Sequence, residues 1–137
     1  MSDLNGRRLA IDAVTALQII RDDPSIGLRN RLVGPAVLRS DVLTLLYREV
    51  RKGALSDAAG RAQLEALATL KVRLLGDRVS RATAWKLARR LDWDDVARAE
   101  YLAVATLQAD ALVAGDPTIT AGAVGLTDLV EYGELLR

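Results

Sequence analysis

Two aspartates stand where an α/β protein would do chemistry. Asp12 follows the apolar run Leu9-Ala10-Ile11, and Asp116 follows Ala111-Leu112-Val113. A carboxylate at or just past the end of a strand lies where open α/β sheets bind ligands. The chain has no Cys and no His. That excludes disulfides, thiol nucleophiles, thiolate zinc sites and imidazole acid–base chemistry. Carboxylates, hydroxyls and amines remain, and any metal would be held by oxygen, as Mg2+, Mn2+ or Ca2+ are. Each aspartate also has an ordinary role. Asp is a good helix N-cap, and Asp before Pro117 is a common way to start a helix.

The elements that must position these residues can be read from apolar spacing. Strands are expected over 8–12, 31–33, 71–75 and 110–114, with a last edge strand over 126–130. Helices are expected over 13–20, 37–51, 57–70, 96–108 and 117–124, with another after Asp77 that carries Val79, Ala82, Leu87 and Leu91. In 37–51 the stripe is Val42, Leu45, Leu46 and Val50, with Leu38 one turn earlier. Ser56 reads as an N-cap, and Gly53 stops the helix before it. Strands alternating with helices predict a three-layer α/β/α fold with a small, mostly parallel sheet.

Length and composition predict one domain over residues 1–137, since half the residues are hydrophobic and can build a core. With 19 basic against 18 acidic residues, overall charge gives no sign of a polyanion partner. The N-terminus is polar, no signal-peptide pattern is present, and no apolar run reaches the roughly 18 residues of a membrane span. A cytoplasmic location is the expectation. Trp85 and Trp93 read as packing residues, and Tyr47 and Tyr101 as half-buried core. Arg39, Arg48, Arg51 and Lys52 fit either a phosphate-contacting surface or a solvated helix face. Arg89, Arg90, Asp92, Asp94 and Asp95 read as solvated surface.

Four segments together resemble PIN domains, the nuclease domain of VapC-type toxins in bacterial toxin–antitoxin pairs. They are Leu9-Ala10-Ile11-Asp12-Ala13, the stretch from Gly34-Pro35 to Ser40-Asp41-Val42, Ala99-Glu100-Tyr101-Leu102-Ala103-Val104-Ala105, and Asp110 to Asp116. Their order and spacing agree over nearly the whole chain. The resemblance implies metal-dependent cleavage of RNA, with Asp12, Asp41 and Asp116 as acids holding Mg2+ or Mn2+. Clustered carboxylates repel one another and favour a hard cation, which would activate a water toward phosphorus. It also implies a homodimer and a small antitoxin partner.

The chain departs from the family pattern at the third acid, where Arg98 stands. Asp41 replaces the usual Glu, Val14 and Ala114 occupy positions where the family carries hydroxyls, and Thr44 stands where it often has Asn. Two consequences are open. Asp94 or Asp95, four and three residues before Arg98, could lean into the site as a substitute ligand, with Asp95 the candidate and Glu100 pointing away. Alternatively, Arg98 could bond Asp12 and Asp116 in place of a metal. The leading expectation is a VapC-like Mg2+- or Mn2+-dependent ribonuclease, impaired by Arg98. The alternative is an inactive PIN-like module that binds RNA or a protein. A small signalling domain resembling a response regulator ranks third, for want of the lysine such domains place past a later strand.

Overall fold

The computed structural model describes residues 6–137; residues 1–5, within the polar N-terminus and the expected domain, lie outside it. The chain runs β1 (Arg8–Ile11), α1 (Ala13–Asp22), α2 (Ile26–Arg29), β2 (Arg31–Pro35), α3 (Leu38–Arg51), α4 (Asp57–Thr69), β3 (Arg73–Leu75), α5 (Arg78–Arg90), α6 (Val96–Gln108), β4 (Ala111–Val113) and α7 (Pro117–Ala123). A 3-10 turn over Tyr132–Leu136 follows. The strands form one all-parallel sheet in the order β3-β2-β1-β4. Leu9 faces Leu32 on one side and Ala111 on the other.

Parallel strands need helical crossovers, and those helices cover both faces of the sheet. α6 packs against β1 and β2, with α5 and α7 on it, while α1 packs with α3 and α4. The product is the three-layer α/β/α fold. Strands buried on both faces read as continuous apolar runs. Leu9, Ile11, Leu112 and Val113 are buried accordingly. α6 is apolar on most faces because it is buried from Tyr101 to Ala105. Among the described residues, no helix is long and apolar enough to cross a membrane.

Several expectations shift. Asp12 ends no strand; it caps α1. The expected edge strand over 126–130 reduces to one bridge, Leu112 with Leu129, flanked by two backbone bonds. In α5 the inward residues are Ala84, Leu87 and Ala88, so Val79 and Ala82 face out. Trp85 is 62% exposed and Tyr47 60% exposed, which corrects both packing assignments. Tyr101 is buried rather than half-buried. Trp93 does pack: its ring fills the space a Cβ at Gly122 would need.

The chain leaves β1 toward β2 and β3, then returns to place β4 on the other side. The order therefore reverses at β1, and its carboxyl end opens the crevice in which such sheets hold ligands.

Candidate functional site

Asp12, the first residue after β1, is buried to 1% exposure. Its Oδ1 accepts the Thr15 N–H at 2.8 Å, which caps α1. Its Oδ2 accepts the Gly115 and Asp116 N–H groups at 2.9 and 2.8 Å. A buried carboxylate must have such donors, and here they come from the segment after β4. Asp12 thereby staples the carboxyl ends of β1 and β4 together. The Thr15 hydroxyl reinforces the seam by donating to the Val113 carbonyl at 2.9 Å.

Asp116 caps α7, its Oδ1 accepting the Thr118 and Ile119 N–H groups. Its Oδ2 accepts the Arg98 Nε–H at 3.0 Å. Asp95 caps α6 through the Ala97 N–H, and its Oδ2 accepts Arg98 Nη1–H at 3.1 Å. Arg98 is held in its charged form, first by the hydrogen bond and charge of Asp116, then by Asp95. Asp41, in the first turn of α3, accepts the Tyr101 hydroxyl at 2.6 Å on Oδ2. Burial, followed by Asp41, holds the Tyr101 phenol protonated well past its ordinary range.

These groups line one pocket of about 250 Å³ at the carboxyl edge of the sheet. Asp12, Asp41, Asp95, Arg98, Tyr101 and Asp116 share it with Thr44 and Arg48 of α3. The structure thus brings together Asp12, Asp41, Asp95 and Asp116, along with Arg98, and leaves Asp94 out of the lining. Glu100 lies outside the lining. Its carboxyl is pushed up, by burial first and then by the charge of Asp41. The bond expected from Arg98 to Asp12 is not made: backbone amides serve Asp12, and Asp95 is the second partner of Arg98. The Tyr101–Asp41 bond escaped sequence reading, because nothing in the spacing relates α6 to α3.

An Mg2+ or Mn2+ ion needs several carboxylate oxygens turned to one point. The donor set does not fit that need. Both oxygens of Asp12 and of Asp116 have protein donors, and Arg98 holds the free oxygen of Asp95. Among the described residues, no group of three or more acidic side chains is arranged to hold a metal ion. Asp95, the expected substitute ligand, is bound to the guanidinium instead.

This architecture defines a class: a small three-layer α/β/α domain with a parallel four-stranded sheet and an acid-lined crevice at its carboxyl edge. The crystal structure of PAE2754 from Pyrobaculum aerophilum shares the fold, with a TM-score of 0.75 and 20% identity, over 95% of this chain and 93% of that one. No protein-family model matches the chain. No curated protein matches it either.

Proposed function

We propose that this chain is a PIN-like, VapC-type domain of the cytoplasm that binds RNA at the acid pocket. In this reading Arg98, rather than a divalent ion, neutralises the pocket, so that metal-dependent cleavage is impaired. The observation that carries it is the double engagement of Arg98, with Asp116 at 3.0 Å and Asp95 at 3.1 Å. A guanidinium fixed on two carboxylates supplies the positive charge such a cluster needs. RNA is the favoured ligand because the pocket opens past Thr44 and Arg48 onto a groove lined by Tyr47, Arg51 and Lys52. Cations beside an exposed aromatic ring suit a phosphate backbone with unpaired bases. A homodimer and a small antitoxin partner belong to the proposal on the resemblance alone.

Mn2+ calorimetry on wild type, Asp116→Asn and Arg98→Asp tests the reading. The expected result is no binding by wild type and binding by Arg98→Asp. A second reading, an active Mg2+- or Mn2+-dependent ribonuclease, is favoured by the convergence of Asp12, Asp41 and Asp116 on one pocket. Mn2+ binding by wild type that Asp116→Asn abolishes, together with RNA cleavage, would overturn the first reading in favour of the second.

A further inference from the structure

α5 is the chain's most one-sided element in charge. Its 13 residues include Arg78, Arg81, Lys86, Arg89 and Arg90 and no acid. All five cations are exposed. None takes part in any ion pair among the described residues. Two acids feel Arg81, the half-buried Glu100 and Asp77, the N-cap of α5, and neither forms an ion pair with it. Residues four apart on a helix form a row. Arg81, Trp85 and Arg89 make one row, and Arg78, Ala82, Lys86 and Arg90 make the next. Trp85 stands among the cations, 62% exposed. None of these residues lines the acid pocket.

The near-neutral total charge hides this patch. Its chemistry selects among possible partners. A membrane-surface helix needs an apolar face turned outward, but the apolar face of α5, Ala84, Leu87 and Ala88, is spent on the fold. Only Val79 and Trp85 are large outward apolar residues, too few for the dehydrated centre of a protein interface. A run of like charge with one free aromatic face fits a polyanion that carries planar groups. In a duplex the base faces are stacked away; in a single strand they are available.

We propose that the outward face of α5 docks single-stranded nucleic acid, with phosphates along the two cation rows and one base stacked on Trp85. The face spans about 18 Å from Arg78 to Arg90 at helical rise. That matches about five nucleotides of a stacked strand, at about 3.4 Å each. The proposal stands on α5 and is independent of whether the acid pocket holds a metal or Arg98.

Fluorescence anisotropy with a labelled oligouridine and a labelled RNA hairpin tests it, using the full chain. The variants are Trp85→Ala, the double variant Lys86→Glu with Arg89→Glu, and Arg48→Glu with Arg51→Glu on α3. Wild type is expected to bind oligouridine in preference to the hairpin stem. Trp85→Ala weakens binding about 5- to 150-fold, the range of one lost base stack. The α5 charge variant lowers the slope of log affinity against log salt by about 1.4, two phosphate contacts' worth. The α3 variant leaves the α5 effects in place. Circular dichroism must show each variant folded, as expected for outward-facing side chains.

The proposal falls if wild type does not bind, if the stem binds equally well, or if both α5 variants bind as wild type does. It falls also if only the α3 variant loses binding, which would place the strand at the acid pocket alone. Equal competition by polyglutamate would show an acidic-protein surface instead, and would overturn it too.

Discussion

Asp12→Asn exchanges one oxygen of a carboxylate that three backbone amides share. An amide side chain offers one acceptor oxygen and one donor nitrogen. In the better rotamer the oxygen faces the Gly115 and Asp116 N–H groups, and the nitrogen meets the Thr15 N–H donor to donor. One buried N–H is then unsatisfied, at about 1–3 kcal/mol. The two bonds that survive lose their charge assistance, about 1 kcal/mol each. The sum is about 3–5 kcal/mol, a large share of the roughly 5–15 kcal/mol that holds a domain folded. Asp41→Asn is the contrast. Its oxygen can still accept the Tyr101 hydroxyl while its nitrogen turns to the pocket, so about 1 kcal/mol is expected. Urea unfolding followed by circular dichroism measures both, and an unchanged m-value keeps the comparison fair. A loss below about 1 kcal/mol for Asp12→Asn, or a larger loss for Asp41→Asn, would refute Asp12 as the staple of the β1–β4 seam.

Arg98→Ala removes two ion pairs from a side chain that is 45% exposed, so solvent screening limits the expected loss to about 1 kcal/mol. A double-mutant cycle with Asp116→Ala reads the coupling directly, and zero coupling would remove Arg98 as the pocket's counter-ion. Stability should fall as pH rises above 10.0: Tyr101 keeps its proton in the fold, while the unfolded chain releases its phenol near that ordinary value. Unfolding midpoints below and above pH 10.0 check this, and Tyr101→Phe should flatten the decline. Gly27→Ala would set a Cβ at 2.7 Å from the Lys71 carbonyl oxygen. Backbone cannot yield as a flexible side chain does, so a loss of about 1–3 kcal/mol is expected in thermal unfolding.

The four strands and the longer helices were legible because burial writes itself into apolar spacing. α3 shows the stripe plainly, with Leu38, Val42 and Leu46 buried. α2 was invisible, since four residues among Pro24, Gly27 and Asn30 are too few to show a period. α5 was misphased because its buried stripe holds two alanines, a weak apolar signal that works here by letting α6 come close. The exposure of Trp85 follows from that phase, which tertiary contact sets. At the site, Asp12 and Asp116 could be found from their places after strands. That Asp12 is saturated by amides from the other end of the chain could not. Three of the site's aspartates turn out to be N-caps, so the ordinary role and the site position coincide.

The seam at Asp12 also fixes when the pocket can come into being. The amides that satisfy this carboxylate lie 103 and 104 positions later in the chain. At synthesis rates of about 5–20 residues per second, Asp12 is made some 5–20 s before its donors. Until then β1 can pair only with β2, and its carboxyl end stays open to water with a charged side chain that has nowhere to bury. The crevice is therefore among the last parts of the molecule to form, and a ribosome-bound fragment ending before Gly115 would carry the sheet's beginning without its site. Contacts so distant in sequence also slow refolding, because loop closure precedes any gain from the contacts it brings.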